Sequence, residues 1–353
     1  MKFGLFSLMP VRDQSTSNSK VLHDTFDMVD LAEQAGFETA WFSEHHFSNY
    51  SISPSPILMA SHVAARTKKI KVGTAVIILP LYNPMRVAQE IAMLDLQSEG
   101  RAVIGFGGGY QHYEFERFGV PIADKTERFL EYWDVVEDAL RKQHVDYRGK
   151  YIEVPDTHFL LAPAQKPFPP FFVATTHPDI LDRAVKSGAT VFTSGTWLGT
   201  EGLLNNRKKI QDALVSKGHA PDALPLAVQQ YIHVTDSKAE AREAAEGVRY
   251  TARVLAALGQ SGATVTNGFI QPKQLVNEPS LETFEKNIII GDAEYVAERI
   301  SKDIELLNPV HYSCYFHFGG MESGRAKRSL EKFGSHAMPL IEKYTKKDLK
   351  MSA

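Results

Sequence analysis

The sequence predicts a single (β/α)8 TIM barrel over residues 1–353, and three observations carry that expectation. Short apolar runs, each followed by a segment of helical periodicity, recur eight times along the chain. The runs are apolar throughout instead of alternating, as strands buried on both faces are. No charge run or linker divides the chain, so the units belong to one domain. An open, doubly wound sheet of eight parallel strands is the structural alternative.

Phe3 to Met9 reads as the first strand, and Val21 to Ala35 as its helix, ended by Gly36 at a natural C′ position. Thr39 to Phe42 is the second strand, and Pro54 to Arg66 its helix, with prolines near the start. Lys69 to Ile77 and Arg101 to Phe106 are the third and fourth strands, with a helix over Pro84 to Gln97 between them. The fourth unit is longer. Its helix, Glu127 to Arg141, precedes a segment from Asp146 to Pro170 that reads as a small hairpin inserted before strand five. Strands at Phe171 to Thr175, Ala189 to Ser194, Pro225 to Val234 and Val310 to Phe318 complete the set. Their helices lie at Pro178 to Lys186, Glu201 to Lys217, Ser237 to Leu258 and Asp292 to Leu307, and Arg325 to Tyr344 closes the chain. Gly259 to Ile288, after strand seven, has no clear period and reads as a mobile loop or lid.

Composition narrows the function classes. A hydrophobic fraction of 43% supplies a globular core, and a net charge of −3 without a Lys/Arg cluster argues against nucleic acid. The basic tail from Lys343 to Lys350 reads as a solvated chain end. One cysteine, Cys314, excludes an internal disulfide and a cysteine-based zinc site. There is no signal-peptide layout after Met1 and no apolar run of roughly 20 residues, so a cytoplasmic protein is expected.

In a barrel, groups at the carboxyl ends of the strands share one face. Glu44-His45-His46 follows the second strand and is the first candidate. Adjacent histidines point apart on an extended chain, so a shared metal is unsupported and no metal is expected. His112, His177 and His317 have no spacing that compels them to join it. A general-base histidine suits the position better, with a structural histidine as the alternative. Gly105-Phe-Gly-Gly-Gly-Tyr110 is not G-x-G-x-x-G. It is either a tight turn or a place where a flat or phosphorylated ligand approaches the backbone. Ala174-Thr175-Thr176 before a helix start is an anion-site candidate, unless Thr176 merely caps that helix. Arg128 either adds positive charge there or pairs with Glu131.

These residues carry a resemblance. Trp41-Phe-Ser-Glu-His-His-Phe47 resembles the W-x-x-E-H-H-F signature of bacterial luciferase and its relatives, and Val72 to Pro80 matches their V-G-T-A-x-x-x-L-P strand. Gly105 to Gly119 is similar to the family's glycine turn followed by E-F-x-x-F-G, and Gly291-Asp-Ala-Glu matches the opening of its last barrel helix. The likeness runs from Lys2 to Ile341, nearly the whole chain. It implies an FMN-dependent monooxygenase on a (β/α)8 barrel, acting on a small organic substrate. A separate NAD(P)H:flavin reductase would supply reduced FMN, which reacts with O2 to give a C4a-peroxyflavin. The resemblance makes His45 the catalytic histidine and places Glu44 near the flavin. It also implies a non-prolyl cis peptide at Ala75-Val76 beneath the ring. Gly107 and Gly108 stand where luciferase has a reactive cysteine and a phosphate-binding arginine. Phosphate is then left to Thr175, Thr176, main-chain N–H groups and Arg128. Tyr110, Ala174 and Ser194, at neighbouring strand ends, complete the expected cofactor set. A homodimer through helices flanking the second and third strands is implied by analogy. Two other readings of the same resemblance are an F420-dependent hydride-transfer oxidoreductase and a non-catalytic flavin-binding partner subunit.

Overall fold

Eight parallel strands close on themselves in the computed structural model, which describes residues 1–351. They are β1 (Phe3–Ser7), β2 (Thr39–Phe42), β3 (Lys71–Ile78), β4 (Ala102–Gly107), β5 (Phe171–Ala174), β6 (Thr190–Ser194), β7 (Leu226–Val234) and β8 (His311–Tyr315). Each pairs with its sequence neighbour, and β8 returns to β1 through Phe3↔Tyr312 and Leu5↔Cys314, so the barrel has no open edge. Closure settles the choice against the doubly wound sheet.

Trp41 plugs the barrel interior. Its Nε1–H donates to His311 Nε2 at 2.9 Å, and its ring meets Phe172 and Phe192. Two neighbouring strands make room by carrying glycine: a Cβ at Gly4 would lie 2.6 Å from the indole nitrogen, and one at Gly73 2.4 Å from the ring. Outside the barrel, helices start where the sequence supplies caps. The Asn83 side chain accepts from Met85 and Arg86 N–H ahead of Pro84, and Ser237 accepts from Glu240 N–H ahead of the 21-residue helix Lys238–Leu258. Arg101 ties the entry of β4 to helix Pro56–Arg66, its guanidinium donating to the carbonyls of Ala64, Thr67, Ile70 and Ser98 and to the Thr67 hydroxyl.

The inserted hairpin is His144–Arg148 against Glu153–His158, antiparallel and separate from the barrel sheet; it starts two residues before the expected Asp146, and residues 159–170 are irregular chain outside it. Residues 259–288 hold a two-residue hairpin (Val265–Thr266, Phe269–Ile270) and a helix, Leu281–Asn287, with Ile270, Phe284 and Ile288 buried. The tip docks on the loop after β2, where Asn49 N–H donates to the Gly268 carbonyl and Ile270 N–H to Asn49 Oδ1. A short strand missed in the sequence, Ile289–Gly291, extends the end of β7 in parallel. The closing helix is interrupted by a π turn at Phe333–Ala337. Among the described residues no helix is long and apolar enough to cross a membrane.

Candidate active site

A cavity of about 780 Å³ opens at the carboxyl ends of the strands, within the range of cofactor and ligand sites. Phe6 and Leu8 of the β1 end, Glu44 and His45 after β2, Ala75 and Val76 of β3 and Gly107 to Tyr110 after β4 form one side. Ala174 to Pro178, Thr193, Ser194, Gln229, Tyr231 and Tyr315 form the other.

The two histidines diverge as an extended chain requires. The His46 ring turns back to Glu44, with Nε2 2.9 Å from Oε1, while the other Glu44 oxygen accepts from Ile78 N–H at 3.1 Å. Burial pushes the Glu44 carboxyl up, opposed by His46, by Ile78 N–H and by the Tyr82 hydroxyl. Glu44 and His46 thus fasten the β2 loop to the end of β3. His45 instead faces Glu114, a wholly buried carboxylate on helix His112–Phe118. Glu114 Oε1 lies 3.1 Å from His45 Nδ1 and also accepts from His46 N–H at 2.8 Å. The Gln111 amide is 2.9 Å from the same Nδ1. A carboxylate only accepts, so Nδ1 carries the proton and Gln111 turns its oxygen to it. The other atom of the Gln111 amide is buried without a partner in either orientation. Nε2 of His45 is then the acceptor, a basic nitrogen on a ring that lines the cavity.

The glycine turn resolves into two separate jobs. The β3–β4 register slips between Thr74 and Ile77, a bulge that contains the cis peptide Ala75-Val76. The Thr74 hydroxyl bridges it, accepting from Gly105 N–H at 2.9 Å and donating to the Gly105 carbonyl at 3.0 Å. A Cβ at Gly105 would lie 2.2 Å from the Thr74 carbonyl, and one at Gly107 2.5 Å from a Val76 methyl. Those glycines admit the bulge. Gly108 has nothing within 4 Å of its missing Cβ and lines the cavity.

At the far end, helix Pro178–Ser187 is capped by His177, whose Nδ1 accepts from Asp179 N–H, and Thr175 Oγ1 accepts from His177 N–H. Thr176 is therefore not the cap. Arg128 does not line the cavity. It donates to the Tyr132 hydroxyl at 2.8 Å and lies over the Tyr151 ring, while Glu131 is taken by the N–H groups of Lys150 and Tyr151. Both expectations for Arg128 fail, because its position on helix Lys125–Lys142 points it at the inserted hairpin. The cation at the cavity is Lys125, one turn earlier, with Thr126 beside it. Lys125 Nζ donates to the Gly109 carbonyl at 2.9 Å, pairs with no carboxylate among the described residues, and burial lowers its pKa.

Sequence reasoning also missed Glu114, Gln111, Tyr50, Tyr231 and Tyr315. Glu114 stood within the quoted E-F-x-x-F-G stretch, but only the fold brings it to residue 45. The Tyr50, Tyr110, Tyr231 and Tyr315 phenols lie close together, and burial pushes each up, so they stay neutral donors. Tyr110 exposes 42% of its surface through its ring, yet its hydroxyl sits in this group, bonded to Tyr50 and Gln111. His317 is bonded to the Met321 carbonyl, away from the cavity.

Residues 1–307 match the family described as luciferase-like monooxygenase. The chain belongs to that family. Among the relatives of this luciferase-like protein, the flavin-dependent trigonelline monooxygenase oxygenase component of Acinetobacter baylyi is 30% identical, covering 96% of this chain and 95% of its own. Two solved structures share the fold. The oxygenating constituent of 3,6-diketocamphane monooxygenase of Pseudomonas putida, in complex with FMN, superposes with a TM-score of 0.76 at 19% identity, over 97% of this chain and 98% of its own. An F420-dependent secondary alcohol dehydrogenase, in complex with an F420-acetone adduct, gives 0.73 at 18% identity, over 96% and 98%. Membership makes the protein an oxidoreductase of the flavin monooxygenase type.

Proposed function

We propose that this protein is the oxygenase component of a two-component monooxygenase that takes reduced FMN from a separate NAD(P)H:flavin reductase and uses O2 on a small organic substrate. The observation that carries the reading is the pairing of buried Glu114 with His45, whose ring lines a cavity that Ala75, Val76 and Gly108 also line. Reduced FMN would supply the two electrons with which O2 gives one oxygen atom to the substrate and one to water.

The residues present fit such a cofactor. A bare glycine backbone and the flat Ala75-Val76 peptide suit an aromatic ring. The hydroxyls of Thr175, Thr176, Thr126 and Ser194, with the unpaired Lys125 ammonium, suit a phosphate. The role of Lys125 replaces the one expected of Arg128. His45 would hold or move a proton at Nε2 toward the reacting centre, and Glu114 stabilises the charged imidazole that results. A second reading, hydride transfer with F420, rests on a neighbour of the same fold. A non-catalytic subunit would have no use for a His45 ring nitrogen at the cavity.

The test needs no substrate. Protein loaded with reduced FMN under anaerobic conditions is mixed with O2, and hydrogen peroxide release is followed against free reduced FMN. Release is expected to lag, and His45→Ala is expected to bind reduced FMN as before and shorten the lag. A protein that binds reduced FMN and shows no lag overturns the oxygenase reading. Preferential binding of reduced F420 supports the second one.

The homodimer belongs to the same proposal. Helices Pro56–Arg66 and Pro84–Gln97 pack side by side and expose Leu58, Met93 and Leu96, an apolar face that a second copy would cover. Leu58→Glu is expected to shift the protein to a monomer by light scattering, and an unchanged mass would place the contact elsewhere.

A further inference from the structure

The inserted hairpin carries a cluster that the oxygenase reading does not use. His144 and His158 are directly opposite each other across its two strands, and Asp156 lies two residues before His158, so all three project from one face. The other face is fixed by burial, with Val145 packed inward, and the register shift after Val145↔Thr157 turns Val154 to that face as well. His144 Nε2 is 2.6 Å from Asp156 Oδ1, His158 Nε2 is 4.0 Å from the same oxygen, and the imidazole rings are 4.5 Å apart at 31°. One ligand atom from each residue lies within 4.8 Å of the other two.

We propose that these three residues form a binding site for a first-row divalent cation, Zn²⁺ foremost. Two neutral imidazoles and one carboxylate are the borderline N/O set that suits Zn²⁺, Ni²⁺ and Cu²⁺, whereas Mg²⁺ and Ca²⁺ favour oxygen throughout. Zn–N and Zn–O bonds of about 2.0–2.2 Å hold tetrahedral ligand atoms about 3.3 Å apart. The observed spacings bracket that value: the His144–Asp156 contact has to open slightly and His158 to swing inward. His158 and Asp156 are both exposed, so such rotations meet little packing, and water completes the coordination.

The site sits at the open end of the hairpin, where the chain leaves helix Lys125–Lys142 and where Phe159 N–H closes onto the Gln143 carbonyl. The turn end packs on the same helix through the Lys150–Glu127 and Tyr151–Glu131 bonds, one turn from Lys125 and Thr126 at the cavity. A bound cation would clip together two strands whose ladder is broken by a register shift between Val145 and Tyr147. None of the three ligands lines the large cavity, so the site is separate from the cofactor site.

The chain without a histidine tag is stripped with EDTA, dialysed and titrated with Zn²⁺ by calorimetry. One Zn²⁺ per chain is expected. Since changing a mere supporting partner of a ligand weakens metal binding about 10–100-fold, His144→Ala, His158→Ala and Asp156→Asn are each expected to weaken it at least about tenfold. Hydrogen exchange at the Val145 and Thr157 amides is expected to slow with Zn²⁺ and not with Mg²⁺. Absence of one-site binding, or binding that survives in a folded His144→Ala/His158→Ala variant, overturns the proposal.

Discussion

Replacing the two adjacent glycines after β4 separates fold from cofactor binding. At Gly107 a Cβ would stand 2.5 Å from a methyl of Val76, inside the bulge of β3. Gly107→Ala therefore overpacks a buried contact, a change that typically costs about 1–3 kcal/mol. At Gly108 nothing lies within 4 Å and φ is not positive, so Gly108→Leu meets open space. Its side chain leaves the fold unchanged or stabilises it by up to about 1 kcal/mol, through the stiffer unfolded chain. A flavin that has to share the cavity with that side chain loses about 1–3 kcal/mol, roughly 5- to 150-fold in Kd. Urea midpoints report stability, and equilibrium dialysis of FMN and reduced FMN reports binding. The expected pattern is crossed: Gly107→Ala lowers the midpoint, whereas Gly108→Leu keeps it and loses the cofactor. A Gly108→Leu protein with wild-type stability and wild-type FMN affinity would show that the flavin does not lie on this turn.

Three further outcomes rest on individual contacts. Glu114→Gln exchanges a charged acceptor for a neutral one at both His45 Nδ1 and His46 N–H. It is expected to cost about 1–2 kcal/mol in urea unfolding and to shorten the peroxide lag as His45→Ala does; an intact lag would detach Glu114 from His45. His233 is buried with neither ring nitrogen hydrogen-bonded among the described residues, and burial lowers its pKa to about 4 from 6.5, opposed by Glu240 3.8 Å from Nε2. The unfolded chain takes up that proton first. The stability His233 contributes is thus whole above about pH 6.5 and lost as pH falls through about 4, up to about 3 kcal/mol. His233→Gln should flatten the urea midpoint between about pH 7 and about pH 4.5, and an unchanged slope would place the acid sensitivity elsewhere. Arg101→Lys offers three donors and so leaves at least two of the five oxygens around the guanidinium without one, at an expected cost of about 2–4 kcal/mol. A loss below about 0.5 kcal/mol would show that water replaces the fork.

The sequence by itself determined the strand–helix rhythm, because apolar runs and helical periodicity are local signals that each element carries within itself. It also marked where to look for chemistry: Glu44-His45-His46 follows β2 in chain order, and the motifs around it marked the family. Even the inserted hairpin was legible, through its turn residues. Tertiary structure decided everything that depends on which groups meet across strands. The partner of His45 is 69 residues away, in a helix that only the pairing of β2, β3 and β4 brings beside it. The choice of Lys125 over Arg128 is a matter of position along the helix, since residues three apart on one face differ in what lies beyond each tip. Glycines that looked alike in Gly105 to Gly109 divided into those that admit the Ala75-Val76 bulge and one that faces empty space. Periodicity gives the direction of a side chain relative to its own element. Only packing gives what it faces, and the chemistry of Glu44-His45-His46 turned on that: one histidine tied to Glu44, the other backed by Glu114 and turned to the cavity.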